Sequence, residues 1–311
     1  MRKWFFVKGS NEVNQMGYIL ALRPHQWVKN IFVLAALVFS KEFTETASIM
    51  KAFQMVLAFS LAASSIYLVN DIADYERDRV HPKKKLRPIA SGRISRQGAA
   101  VFAAMVAPIS WWLAWMLSPQ CLAVVAVYTI MNLSYSLKLK HVVLLDVFII
   151  AAGFLLRVTA GAFAINVGVS PWLILCTFFV ALFLAFCKRR NELESLGDNA
   201  AAHRGILASY SLVFIDKMVS ALASLTIMSY ALYTIDPKVV ERLGTDALIL
   251  TLPIVLYGIF RYLFLVHQKQ LGGSPTEVML KDRSIQFIGL LYLGLSIASI
   301  YFKWQVGLIS I

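Results

Sequence analysis

The sequence predicts an all-α integral membrane protein built from nine transmembrane helices, with its N-terminus in the cytoplasm. Three observations lead there. The 311 residues are 59% hydrophobic, and mean hydropathy is +0.68. Only 15% of residues are charged, against about 25% in an average soluble domain. Finally, the apolar residues fall into runs of about 20, the length that crosses a bilayer as a helix. Strands of this length would have to close into a barrel, and a disordered chain would be polar and poor in aromatics.

The nine runs follow in order. Residues 1–17 are basic and polar, with Arg2, Lys3 and Lys8, and read as a cytoplasmic N-terminal segment. No apolar core with a small-residue cleavage site follows, so no cleavable signal peptide is expected. The rest, 18–311, reads as a single transmembrane domain. The first run, 18–40, carries Arg23, His25, Gln26 and Lys29 in its first half and is apolar from Ile31 to Phe39. The others lie at 52–70, 98–117, 121–137, 142–165, 172–187, 213–234, 247–266 and 285–302. Short polar turns such as Ser118-Pro119-Gln120 join some, and long charged loops join the rest.

The net charge of +13 is unevenly distributed. With the N-terminus inside, only Lys41, Lys51, Lys238, Arg242 and Lys303 fall in outer loops, whereas eight Lys and Arg lie between Arg77 and Arg96 alone. This asymmetry orients the bundle and assigns the positive charge to the inner membrane surface, with no role in nucleic-acid binding. Cys121, Cys176 and Cys187 lie in apolar segments without paired spacing and read as small buried hydrophobes.

The densest polar stretch follows the second run: Asn70-Asp71-Ile72-Ala73-Asp74-Tyr75-Glu76-Arg77-Asp78. If the helix continues, Asn70, Asp74 and Asp78 share one face, with Asp71 beside it. Hard oxygen donors in this arrangement suit Mg²⁺ bound together with substrate phosphates. An arbitrary acidic run is more often a solvated helix end held by arginines. The basic loop His81-Pro82-Lys83-Lys84-Lys85-Leu86-Arg87-Pro88 beside it shifts the reading to a metal-bound diphosphate, whose oxygens Lys83, Lys84, Lys85 and Arg87 would hold. Lys83–Lys85 also read as a topogenic or headgroup-binding cluster.

Arg23 and Lys29 in the first run, and Asp146 and Arg157 in the fifth, are costly in hydrocarbon and should face protein or a water-filled cavity. Asp146 and Arg157 share a helix face but lie too far apart to pair, so each needs a partner elsewhere. Tyr135, Lys138 and Lys140 precede the fifth run at the same membrane surface. After the sixth run, Lys188-Arg189-Arg190-Asn191-Glu192-Leu193-Glu194, with Asp198 beyond, reads as an opposing wall of a phosphate site or as a solvated helix end. The loop from Lys269 to Arg283, with Gly272-Gly273, is only weakly informative.

In these residues the sequence resembles the UbiA superfamily of intramembrane prenyltransferases. The resemblance rests on Asn70-Asp71-x-x-Asp74-x-x-x-Asp78 after the second of nine spans and on Arg87-Pro88-x-x-Ser91-Gly92. Within that superfamily it looks most like the decaprenyl-phosphate phosphoribosyltransferase branch. Arg23-Pro24-x-Gln26-Trp27-x-Lys29-Asn30, Tyr135-Ser136-x-Lys138, Gly153-Phe154-x-Leu156-Arg157, Ala160-Gly161-Ala162 and Lys188-Arg189-Arg190 support this. A second aspartate-rich motif, usual in the superfamily after the sixth span, is replaced here by the mixed 188–194 stretch.

The resemblance implies transfer of 5-phosphoribose from phosphoribosyl pyrophosphate to a polyprenyl phosphate, with Mg²⁺ as cofactor. Asn70, Asp74 and Asp78 would hold the metal and pyrophosphate, with Asp71 in support. Lys83, Lys84, Lys85 and Arg87 would hold the donor's phosphates. Arg23, Lys29, Tyr135, Lys138 and Arg157 would hold the lipid phosphate or the ribose 5-phosphate, while Lys188 and Arg189 close the opposite wall. Asp74, Asp78, Lys29 and Arg157 are the expected catalytic groups. Membrane lipids surround the bundle, and self-association as a homo-oligomer stays open. The alternatives are prenyl transfer from a diphosphate to an aromatic acceptor on the same fold, and a lipid-phosphate transporter.

Overall fold

A computed structural model describes residues 10–82, 84–196, 205–269, 271, 273 and 275–307. Arg2, Lys3, Lys8, Lys83 and Asp198 lie outside the described residues. Among those described, all regular structure is helical, and eight helical stretches are long and apolar enough to cross a membrane. The chain is an integral membrane protein.

The expected first span is not one helix. Helix α1 (Ser10–Ala21) stops ahead of Pro24, and the chain continues as a 3₁₀ segment, Pro24–Leu34, and a short α2 (Ala35–Phe39). Proline supplies no N–H and disfavours helical backbone in the residue before it. Arg23 accordingly turns into the left-handed region, at φ 54°. The 3₁₀ segment and α2 together extend about 30 Å, at about 2.0 and 1.5 Å per residue, enough to traverse the hydrocarbon core.

The remaining long helices overlie the expected runs. They are α3 (Thr46–Ala73), α5 (Arg96–Leu117), α6 (Pro119–Leu137), α7 (Leu145–Ala164), α8 (Pro171–Leu196) and α9 (Leu212–Ile235). Of these, α3 and α8 extend beyond their runs. Next come α11 (Leu252–Lys269), entered through a 3₁₀ turn at Ala247–Thr251, and α13 (Arg283–Tyr301). Short helices α4 (Tyr75–Val80), α10 (Pro237–Leu243) and α12 (Pro275–Lys281) lie between them. Oxygen-bearing side chains cap several N-termini: Ser95, Ser118, Ser211, Asp236 and Asp282 each accept from a backbone N–H three residues on.

Helix α7 belongs to both large cores. On one side Val33, Met55, Phe59, Val125, Tyr128 and Ala160 join the 3₁₀ segment to α3, α6 and α7. On the other, Val147 and Ala151 of α7 pack with Phe183, Ile215, Val219 and Tyr262 of α8, α9 and α11. The first core is closed by direct backbone contact. A Cβ on Gly161 would lie 1.8 Å from the carbonyl oxygen of Val33, so only glycine lets the 3₁₀ segment approach α7 this closely. Trp27 Nε1 donates to Ser64 Oγ at 3.1 Å, and Asn30 Nδ2 donates to Ser60 Oγ at 2.9 Å, tying the same segment to α3. The three cysteines are free thiols, with Cys121 and Cys187 buried.

Gly161→Ala is therefore expected to push the 3₁₀ segment off α7 and destabilise the protein by about 1–3 kcal/mol, as overpacking does. Thermal unfolding in detergent measures it, and a melting temperature equal to that of the unaltered protein would contradict the close contact.

Candidate active site

A cavity of about 470 Å³ opens at one end of the bundle, between the 3₁₀ segment, the C-terminal ends of α3, α6 and α8, the middle of α7, and α12. Its polar wall carries Arg23, Lys29, Asn70, Tyr135, Arg157 and Lys188, six of the residues singled out from sequence. Apolar side chains complete it, among them Val28, Ile31, Phe32, Ile150 and Phe154.

Arg157 is 5% exposed and is held by neutral groups. Its Nε donates to Asn30 Oδ1 at 2.7 Å, Nη1 to the Gly153 carbonyl at 2.7 Å, and Nη2 to the Tyr128 hydroxyl at 2.9 Å. The rings of Tyr128, Phe154 and Phe59 surround it, with centroids 4.9–5.7 Å from its Cζ. Neither Arg157 nor Lys29 forms an ion pair with a carboxylate among the described residues. Two cations thus face the cavity with no carboxylate among the described residues to neutralise them.

The acidic stretch is arranged differently from the expectation. Helix α3 ends at Ala73 and α4 begins at Tyr75, although Asp74 N–H still donates to Asn70 O and Asp78 N–H to Asp74 O, both at 2.9 Å. The backbone stays near-helical through the break. Asp71 and Asp78, each 2% exposed, turn to basic residues of the same chain. Arg87 Nη1 donates to Asp71 Oδ1 at 3.0 Å and to Asp78 Oδ2 at 2.5 Å. Arg23 donates to Asp71 at 2.5 Å, and Lys84 Nζ lies 3.8 Å from Asp78. Two of the four expected ligands, Asp71 and Asp78, are thus turned to arginines, and among the described residues no three acidic, His or Cys side chains form a metal-ligating group. Desolvated carboxylates need counter-charge, and the arginines provide it.

Two donors remain uncommitted. Asn70 Oδ1 is buried with no hydrogen-bond partner, and Asp74, one turn on, has no ion pair among the described residues. A buried amide oxygen without a partner and, one turn on, a carboxylate with no ion pair among the described residues form a donor set that Mg²⁺ accepts alongside substrate phosphates.

Other expected contributors are elsewhere. Arg189 is 1% exposed and absent from the cavity wall: its Nε donates to Asp146 Oδ2 at 2.7 Å, and it also pairs with Glu192. Asp146 accepts from the Tyr210 hydroxyl at 3.0 Å as well, so it finds its partners on neighbouring elements and stays apart from Arg157. Arg190 pairs with Asp216 at 2.7 Å and Glu194 at 2.6 Å. Lys85 and Lys138 are exposed away from the cavity wall.

Several wall residues escaped the sequence reading. Tyr128 and Asn132 stand with Tyr135 at a spacing of four and three along α6, a polar stripe that helical periodicity could have exposed. Asn30 was legible only as part of a motif, yet it orients Arg157. Gly273, Thr276 and Met279 come from the loop that sequence left uninformative. Nothing local marks them, because tertiary packing alone brings α12 over the cavity; a Cβ on Gly273 would lie 2.5 Å from Asn191 Oδ1.

The profile of the UbiA prenyltransferase family matches residues 30–280. The chain belongs to this family. Among UbiA relatives, the decaprenyl-phosphate phosphoribosyltransferase of Mycolicibacterium smegmatis is 35% identical over 300 residues, covering 92% of this chain and 93% of its own. That of Corynebacterium glutamicum is 34% identical, covering 92% and 87%. In three dimensions, a UbiA homolog from Archaeoglobus fulgidus, bound to GPP and Mg²⁺, aligns with a TM-score of 0.71 at 19% identity, over 91% of this chain and 99% of its own.

The adjacent residues Lys188 and Arg189 separate by substitution. Arg189→Ala leaves Asp146 buried without its cation and is expected to cost about 3–5 kcal/mol of stability. Lys188→Ala removes a half-exposed pair with Glu192, worth about 1 kcal/mol or less, and is expected to weaken substrate binding while changing the melting temperature far less than Arg189→Ala does. Thermal unfolding and KM measured on both variants test this, and the reverse pattern would overturn the assignment.

Proposed function

We propose that this UbiA-family protein transfers 5-phosphoribose from phosphoribosyl pyrophosphate to a polyprenyl phosphate, releasing pyrophosphate. The observation that carries the proposal is the pair of cations, Lys29 and Arg157, facing a mostly apolar cavity without a carboxylate partner among the described residues, across from Asn70 near the end of α3. Such a cavity suits a lipid anion meeting a diphosphate. Relatives named for this reaction, at 33–35% identity over about 92% of the chain, support it.

In the proposed reaction a lipid phosphate oxygen attacks the anomeric carbon as the carbon–oxygen bond to pyrophosphate breaks. The attacking oxygen is already anionic near neutral pH, so no general base is needed, and catalysis rests on positioning and charge stabilisation. Arg157, fixed by Asn30, Gly153 and Tyr128, holds the lipid phosphate with Lys29, while Val28, Ile31, Phe32 and Phe154 cover the first isoprenoid units. Arg23, Tyr135 and Lys188 stand around the ribose and its 5-phosphate. Lys84, Lys85 and Arg87 lie on the basic loop that approaches the pyrophosphate. Asn70 and Asp74, with Asp71 and Asp78 behind them, would hold Mg²⁺, which when bound offsets the charge of the departing pyrophosphate. The excess of basic residues at this end supports a position on the cytoplasmic side of the cell membrane, where a soluble sugar diphosphate is available.

Incubation of purified protein with labelled phosphoribosyl pyrophosphate and polyprenyl phosphate should yield a ribosylated lipid in a Mg²⁺-dependent manner. Prenylation of an aromatic acid, with no ribosylated lipid, would overturn the proposal. Asp74→Ala should retain its melting temperature and lose at least about 100-fold in kcat, the scale of removing one electrostatic stabiliser.

A further inference from the structure

A second cavity, of about 340 Å³, lies at the opposite end of the bundle. Leu173 in its wall and Lys188 in the first cavity are fifteen residues apart on α8, about 22 Å of helix. Phe39, Ser40, Ala162, Leu173, Tyr233 and Arg242 line it. The Arg242 side chain is within hydrogen-bonding reach of the Tyr233 hydroxyl. Ser40 Oγ is buried and has no hydrogen-bond partner.

Two more cations stand at its rim. Lys41 follows Ser40 in a left-handed turn, φ 65°, and its Nζ lies 3.4 Å from where a Cβ on Gly244 would be. Gly244 ends α10, two residues after Arg242. The chain after Lys303 is tied to the same turn: Thr245 Oγ1 donates to the Trp304 carbonyl at 2.6 Å, and Gln305 Nε2 donates to the Gly244 carbonyl at 3.2 Å. Burial and the Lys303 charge lower the pKa of Lys41 from its ordinary value, as expected of neighbouring like charges.

None of Lys41, Arg242 and Lys303 forms an ion pair with a carboxylate among the described residues. Nearby acidic groups are engaged elsewhere. Asp236 accepts from Trp172 Nε1 at 3.0 Å and caps α10, Asp246 accepts from Val306 N–H at 2.6 Å, and Glu42 accepts from Ser48 at 2.7 Å.

We propose that this cavity binds the phosphate headgroup of an anionic phospholipid at the membrane face remote from the candidate active site. Lys41, Arg242 and Lys303 take the phosphate oxygens, Ser40 Oγ donates to one of them, and Phe39 and Leu173 cover the start of the acyl region. Arginine suits phosphate through paired donors, and the headgroup level is where a basic cluster meets anionic lipid. The location gives the ligand a structural task. Ser40 and Phe39 terminate the broken first crossing, and Ala162 adjoins the glycine against which that crossing packs. An occupant therefore pins the far end of the element that carries Lys29 and Asn30.

Thermal unfolding of the full chain in a neutral detergent tests this with three probes: phosphatidylglycerol, phosphatidylcholine and inorganic phosphate. Phosphatidylglycerol should raise the melting temperature by several degrees and phosphatidylcholine should not. Protection by inorganic phosphate to the same extent would uphold the anion site and make the free ion its ligand. Because basic loops at the other end also attract anionic lipid, the decisive comparison uses K41Q and R242Q, singly and together. Each should weaken phosphatidylglycerol binding at least tenfold by titration. Native mass spectrometry should show the double variant retaining one lipid fewer. Unchanged affinity and lipid count in folded variants would overturn the proposal. Should the double variant fail to fold, the affinity and lipid count of R242Q alone decide between these outcomes.

Discussion

A charge inside a hydrocarbon slab must be neutralised, hydrated or carried on a side chain that reaches the surface, and this requirement organises the bundle. Asp146 and Arg189, from α7 and α8, neutralise each other at 2.7 Å in full burial. Asp71 and Asp78 are neutralised by Arg23 and Arg87. Arg157 is solvated by an amide, a carbonyl and a phenol in place of water. What these arrangements leave over, Lys29 and Arg157 as uncompensated cations and Asn70 Oδ1 as an unsatisfied acceptor, is collected on the wall of one cavity. Buried ion pairs add little net stability. Their effect here is to fix which helices face one another, and so which polar groups remain for a ligand.

The close approach of Gly161 to Val33 bears on the same point from the packing side. It brings a backbone without regular α-helical geometry against α7, one turn from Arg157, and sets Asn30 at hydrogen-bonding distance from that guanidinium. Long 3₁₀ runs are uncommon because their hydrogen bonds are poorly aligned. This one is held by neighbours: Ser60 and Ser64 on α3 and the missing side chain on α7.

Much of this was legible in the sequence, since the signals involved are local. Six helices fall within about three residues of their apolar runs, because bilayer thickness dictates their length, while α3 begins six residues before its run and α8 continues nine residues past its own. The break in the first crossing was foreshadowed by Arg23-Pro24, but hydropathy averages over a proline and hides it. Of the candidate site, Lys29, Asn70, Arg157 and Lys188 stand on the cavity wall, each notable in sequence as a polar group where an apolar one is cheaper. Arg189 shows the limit of that reasoning. Sequence cannot distinguish a cation reserved for substrate from one consumed by a carboxylate on another helix, and adjacent residues on α8 point to different surroundings. Thr276 and Met279 carry no unusual chemistry, so only the fold could place them.

The guanidinium of Arg87, wedged between Asp71 and Asp78, has a consequence for what the mouth of the bundle attracts. Counted by letters, the stretch from Asn70 to Asp78 is an acidic lure for any dissolved cation. With two of its carboxylates already carrying internal counter-ions, and Lys84 close by, its far field is muted or reversed. Long-range attraction at this mouth therefore favours polyanions over bare divalent cations.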